Sequence, residues 1–271
     1  MLKIRMITAI SMLSVLLPVT FCVPLGGFGS LIAFILAFAA WEWGKLLKLP
    51  GIWPFYYSVL SSVMLVAYIL TSAVLGDAPL WIAAAFWIVG APFVLLRKPI
   101  LVSGAWRGFL LIVGMVLFIA CWHTVMVTRM AGVTCVLSLL FIVWLADSGA
   151  YFIGKRFRRY KLAPVISPSK TWGGAIGGWL SAIMGALLVF YVNSSLLTVT
   201  NLLVKRFGIV GAILALSFLV VFSIVGDLFE SLLKRQAGVK DSSQLLPGHG
   251  GVLDRIDGLL PVLPLAMLLL S

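Results

Sequence analysis

The residues able to do chemistry crowd into one stretch of this chain. From Lys234 to Asp257 the sequence reads KRQAGVKDSSQLLPGHGGVLDRID, which sets Lys234, Arg235, Lys240, Asp241, His249, Asp254, Arg255 and Asp257 within 24 positions. Five of the eight carboxylates lie between Asp227 and Asp257. Asp227, Ser231 and Lys234 are spaced i, i+4, i+7 and so share one helix face, while Asp254 and Asp257 are spaced i, i+3. A few hard oxygen ligands flanked by Lys and Arg are what Mg²⁺ uses when phosphate oxygens and water complete its shell. The turn Pro247–Gly251, PGHGG, can turn successive backbone N–H groups toward an anion. Set between Lys240-Asp241 and Asp254-Arg255, it is expected to cradle a polyphosphate.

Plainer readings exist for each piece. Asp227 could be a helix-end acid paired with Lys234 or Arg235, and the helix dipole favours one of Asp254 and Asp257 as a first-turn acid. Neither accounts for both of those aspartates with Asp227 and Glu230 nearby. Asp227 lies about 10 Å down its helix from Lys234, and Asp147, in WLADSGAYFIGK, lies at a similar depth below Lys155. An ionised carboxylate inside a bilayer costs about 3 kcal/mol or more unless paired, so Asp147 joins the candidate pocket. Gly149 to Lys155 imitates a phosphate-binding P-loop, but Arg156 stands where the metal-binding Ser/Thr belongs and no strand precedes it. Gly173, Gly174, Gly177 and Gly178 have the spacing of close helix packing. His123 reads as a packed or interfacial histidine, and Cys22, Cys121 and Cys135 as small core residues.

The elements that must position these groups are membrane helices. With 62% apolar residues, 10% charged residues and a mean hydropathy of +1.17, the chain has too little polar surface for a soluble globule. Apolar runs of about 20 residues fall at 5–23, 25–42, 54–75, 79–96, 107–127, 132–153, 173–196, 208–233 and 256–271, the last being short. The expected fold is therefore an all-α integral membrane protein of about nine transmembrane helices. It is one polytopic domain over 1–271, with N-terminal spans in 1–130 and catalytic spans in 131–271, whose cytoplasmic loops are 154–172 and 234–255. If the N-terminus is cytoplasmic, 17 of the 20 Lys/Arg face that side and only Arg129, Lys205 and Arg206 face the other, as the positive-inside rule requires. The C-terminus is then outside. The net charge of +12 is in this light a topology signal, and no nucleic-acid partner is expected.

Ser231 to Asp257 resembles the signature of the phosphatidate cytidylyltransferases, or CDP-diacylglycerol synthases. Ser231, Lys234-Arg235, Lys240-Asp241, Pro247-x-His249-Gly250-Gly251 and Asp254-Arg255-x-Asp257 follow that family's order and spacing. The stretches DSGAYFIGK from Asp147 and KLAPVISPSKTW from Lys161 are similar to it too. The chain departs at Gly173, where relatives usually carry Glu, and at Arg158, where Gly is common.

The resemblance implies that CTP and phosphatidate give CDP-diacylglycerol and pyrophosphate, with Mg²⁺, in one or more ions, bound by Asp227 and Asp254 and by extension Asp257 and Ser231. Asp227, Asp254, Lys234 and His249 would carry catalysis. Lys234, Arg235, Lys240, His249 and Arg255 would hold phosphates, with Asp241, Gly250 and Gly251 in the same loop and Ser231 also on the substrate, and Ser167 and Lys170 would hold the lipid headgroup or CTP. Phosphatidate is already an anion, so charge neutralisation and alignment matter more than a strong base. The expected setting is the inner membrane of a bacterium, with the active site facing the cytoplasm; a homodimer is one expectation for the assembly. Two other classes stay open. A CTP-dependent polyprenol or phytol kinase shares the later motifs, and a transporter would also carry intramembrane acids, though it would typically show internal repeats.

Overall fold

The computed structural model describes residues 2–157 and 159–271, with backbone alone at 2–6, 9, 72, 73 and 75. Arg158 and the Lys3 and Arg5 side chains thus lie outside the described residues. The helices are α1 (Leu2–Cys22), α2 (Leu25–Leu46), α3 (Trp53–Leu75), α4 (Ala78–Ala85), α5 (Ala91–Arg97), α6 (Gly104–Ala131), α7 (Val133–Arg156), α8 (Trp172–Val192), α9 (Val199–Ala237), α10 (Leu253–Ile256) and α11 (Leu259–Leu270). A π-helical turn, Phe86–Gly90, joins α4 to α5 into one rod.

Among the described residues seven helices are long and apolar enough to cross a membrane: Leu25–Leu46, Trp53–Thr71, Ala78–Arg97, Gly104–Ala131, Val133–Arg156, Trp172–Val192 and Val199–Ala237. They coincide with the second to eighth spans expected from hydropathy. The ninth expected span is divided into α10 and α11 by Asp257 and Gly258, whose φ and ψ stay helical. From Ile256 to Leu270 the chain rises about 22 Å, short of the ~30 Å of a hydrocarbon core, and it is not among the seven.

Two features depart from the expected outline. The loop between α7 and α8 holds an antiparallel hairpin of β1 (Lys161–Ala163) and β2 (Ser167–Thr171). Its exit is locked where the Thr171 side chain accepts from the Gly174 amide at 3.0 Å and caps α8. Cys22 is exposed, whereas Cys121 and Cys135 are buried; only the latter two are core residues.

Close helix approach sets the frame of the site. The glycines of α7 and α8 interlock as their spacing predicts: a Cβ on Gly178 would meet the Ala146 carbonyl at 2.4 Å, and one on Gly149 the Ser181 hydroxyl at 2.2 Å. This brings the hairpin beside α9. Below the site, Trp43 of α2 stacks on Phe229 of α9 with ring centroids 6.0 Å apart, and the Trp43 indole donates to the Leu110 carbonyl of α6 at 3.0 Å. Both aromatics are buried, so α2 and α9 are fixed to each other one residue away from Glu42 and Glu230. Helix α9 ends at Gly238, whose φ of 83° is the left-handed cap that glycine supplies without strain. The chain then enters the 239–252 loop.

Candidate active site

Three elements meet at the end of α9. The β hairpin delivers Lys170, whose ammonium pairs with the Asp227 carboxylate. The Ser231 hydroxyl, one turn on, lies 3.4 Å from the other Asp227 oxygen. Arg235 anchors the same hairpin by donating from Nε to the Ile166 carbonyl at 3.2 Å. The hairpin is thus tied to α9 at two levels, with Ser167 buried in it, 3.5 Å from the Ser169 hydroxyl.

Lys234 links α9 to the loop. It donates to Glu230 at 2.6 Å and to Asp254 Oδ1 at 2.5 Å. The simple pairing of Asp227 with Lys234 or Arg235 is therefore not what forms; Lys170, 57 residues away in sequence, is the counter-ion of Asp227. The charges of Asp257 and Asp147 also act on Lys170, so three carboxylates converge electrostatically on one ammonium. Burial would lower the Lys170 pKa, but the charge and hydrogen bond of Asp227 outweigh it and hold the group above the ordinary lysine value. Asp257 also accepts from the Gly258 amide at 2.7 Å. The charge of Arg255 reaches Asp147 as well.

Asp254 is the organiser of the loop. Its second oxygen accepts from the Ser242 amide at 2.9 Å and the Gly251 amide at 2.8 Å, and lies 2.9 Å from the Ser242 hydroxyl. Burial pushes its pKa up. The Lys234 hydrogen bond and charge, with those two amides, push harder the other way and leave it below the usual aspartate value.

The two motif glycines have a packing reason. Gly250 has φ +82°, and a Cβ there would meet Asp254 at 2.7 Å; one on Gly251 would meet the Ser242 hydroxyl at 2.0 Å and Glu42 at 2.4 Å. The Gly251 amide, expected to face an anion, is spent on Asp254. Beside this turn opens a cavity of about 690 Å³, within the range of small-ligand sites. Lys240, Asp241, His249, Gly250 and Arg255 line it, together with Ser243.

Among the described residues no group of three or more His, Cys, Asp or Glu is arranged to hold a metal ion. Mg²⁺ does not require one, because it is commonly held by one or two carboxylates plus substrate phosphates. The donors fit it on those terms. Asp227 has the Ser231 hydroxyl next to it and Lys170 as its counter-ion, and its charge acts on Asp257. Asp254 has both oxygens engaged by the loop and Lys234.

Glu42 is the residue that sequence reasoning missed. It sits on α2, fully buried, and reaches the loop from the N-terminal half of the chain. Its two oxygens accept from the Ser243 hydroxyl at 2.5 Å and the amides of Val252 and Leu253 at 3.0 and 2.6 Å, with the Ser242 hydroxyl at 3.0 Å. The available signal was an acid between two tryptophans at the end of an apolar span, WEW, the same intramembrane-acid cue that picked out Asp147. His123, by contrast, lies elsewhere, hydrogen-bonded through Nδ1 to the Tyr68 hydroxyl at 2.6 Å.

Known proteins with related sequences bear on this geometry. The sequence profile of the cytidylyltransferase family matches residues 3–271. A phosphatidate cytidylyltransferase of Pseudomonas aeruginosa is 35% identical over 277 residues, covering 100% of this chain and 97% of that relative. One from Haemophilus influenzae is 47% identical over 133 residues, 49% of this chain and 44% of its own. One from Staphylococcus aureus is 46% identical over 143 residues, 53% of this chain and 51% of its own.

Proposed function

Because the chain belongs to the cytidylyltransferase family, we propose that it condenses CTP with phosphatidate, releasing pyrophosphate and forming CDP-diacylglycerol for phospholipid synthesis. The observation that carries this reading is the convergence of two acid–cation pairs, Lys170–Asp227 and Lys234–Asp254, beside a cavity lined with Lys240, His249 and Arg255.

In the reaction a phosphatidate oxygen forms a bond to the α-phosphorus of CTP. The bond from that phosphorus to the bridging oxygen breaks, and the electron pair leaves with pyrophosphate. The attacking group is already ionised, so the residues need to align two polyanions and offset their repulsion. Lys240, His249 and Arg255 bind the triphosphate from the cavity wall. Lys170, delivered beside α9 by the hairpin, binds the lipid headgroup, while Lys234 holds Asp254 and with it the loop. Arg235 keeps the hairpin in register with α9. Mg²⁺, when bound, neutralises the triphosphate and the departing pyrophosphate; Asp227, Ser231 and Asp257 would hold it.

The 17-to-3 distribution of Lys and Arg supports a cytoplasmic N-terminus, nine membrane-crossing elements, and both site loops facing the cytoplasm of a bacterial inner membrane. The acyl chains can then stay in the bilayer while the headgroup enters between spans. The test is pyrophosphate release by the purified protein with CTP and Mg²⁺, with and without phosphatidate. Release that requires phosphatidate supports the reading, and release indifferent to the lipid rejects it.

A further inference from the structure

Glu42 has an arrangement that its position in the chain does not explain. It lies near the end of an apolar helix, yet none of the ion pairs found among the described residues includes it. Its negative charge is balanced by dipoles instead. The Val252 and Leu253 amides open α10, where helix N–H groups lack intrahelical partners, and the Ser243 hydroxyl completes a set of short donors. The Ser242 hydroxyl lies 3.0 Å from Glu42 and 2.9 Å from Asp254. It has one proton for two carboxylates, so it couples their hydrogen bonding.

The donors come from the two ends of the site loop. Ser242 and Ser243 stand at its entry, Val252 and Leu253 at its exit. One carboxylate therefore closes the segment between them, which carries Pro247, His249, Gly250 and most of the cavity wall, with Lys240 and Arg255 just outside its two ends. Gly251 lies so close to this carboxylate that any side chain there would collide with it. The base of the clamp is rigid, because Trp43, the next residue, is stacked on Phe229 of α9, and α10 packs on α2.

We infer that Glu42 is a positioning residue for the nucleotide half of the site: by pinning both ends of the 243–252 segment it pre-organises the cavity wall that receives the triphosphate of CTP. This rests on the functional reading above and extends it to the N-terminal half of the chain. A loop held in its binding conformation does not have to be ordered when ligand arrives, so removing the clamp weakens affinity. Glutamine at position 42 keeps the shape but turns an NH₂ group toward donors. Aspartate keeps the charge but is one methylene short of the loop.

The test is steady-state kinetics of Glu42→Gln and Glu42→Asp in detergent or vesicles, varying CTP and phosphatidate separately. The expected result is a KM for CTP raised on the order of ten- to a hundredfold in Glu42→Gln and less in Glu42→Asp, with the KM for phosphatidate within about threefold of wild type. A residue needed only for folding would lower the active fraction and hence kcat, with both KM values unchanged; that pattern, or failure of both variants to fold, overturns the inference. Wild-type protein without phosphatidate-dependent turnover would sink the functional reading itself. An active wild type beside a Glu42→Gln variant with an unaltered KM for CTP sinks the clamp alone.

Discussion

The Lys234 ammonium stands 2.5 Å from Asp254 Oδ1 and 2.6 Å from Glu230 Oε2, so one cation joins the end of α9 to the start of α10 across 20 residues of chain. All three side chains are largely buried. Removing one partner of such a set leaves uncompensated charge, at a cost of about 3–5 kcal/mol. Lys234→Met should lower the stability of the detergent-solubilised protein by that order, measured by denaturant titration. Adding Glu230→Gln should recover part of the loss. An unchanged midpoint for Lys234→Met would mean that the pairing is too hydrated to matter.

Asp227 and Asp254 should respond differently to the same change. Asp227→Asn removes the carboxylate proposed to hold Mg²⁺, and turnover should fall on the order of 10³-fold with a higher Mg²⁺ midpoint. Asp254→Asn disturbs the loop, so its main effect should be on the KM for CTP at an ordinary Mg²⁺ midpoint. Mg²⁺ titrations of both variants decide this. A shifted midpoint for Asp254→Asn would return that residue to the metal site.

Gly251→Ala should weaken CTP binding without unfolding the bundle. Its methyl would sit 2.0 Å from the Ser242 hydroxyl and 2.4 Å from Glu42, so the loop must move off the Glu42 carboxylate. Equilibrium CTP binding should drop at least about tenfold, as expected when an ordered site becomes a loose one. Affinity equal to wild type would show that the loop tolerates displacement.

The pH dependence follows from Asp254 and Lys170. The folded pKa of Asp254 is depressed, so its stabilisation is present above the ordinary aspartate value of about 3.9 and is lost as pH falls through the lower folded value. Lys170 is the reverse: its folded pKa is raised, so its contribution is whole below about 10.4 and fades as pH rises through the folded value. Limited proteolysis of the 239–252 loop in a His249→Gln variant, which removes the loop's own imidazole, should be flat from about pH 5 to pH 9. Cleavage that increases between pH 7 and pH 5 would contradict the Asp254 assignment.

Much of this architecture is written in local pattern. The seven long apolar helices are legible because a bilayer demands unbroken runs of about 20 residues, and the tight α7–α8 pair is legible because glycines at helical spacing can serve little else. Asp227, Ser231 and Lys234 share a face for the same periodic reason. The partners across that face are not legible. Lys170 reaches Asp227 only because the 161–171 segment folds back as a hairpin, a turn masked by its resemblance to a plain basic loop. Glu42 was hidden for a different reason: its donors are two serines and two backbone amides about 200 residues away, and backbone donors have no sequence signature. The same blindness affects the glycines of the PGHGG turn. Their pattern suggests amides free for phosphate, while Gly251 spends its amide on Asp254.

The central claim is that the α-phosphorus of CTP ends on the lipid. Its most direct test is to follow CTP labelled separately at the α- and γ-phosphates during incubation of the purified protein with phosphatidate and Mg²⁺. The account predicts α-label in the lipid product and γ-label in pyrophosphate, in equal amounts, with neither appearing when phosphatidate is replaced by diacylglycerol or a polyprenol. Transfer of the γ-label to a lipid, with CDP released, would contradict it and make the protein a CTP-dependent lipid kinase.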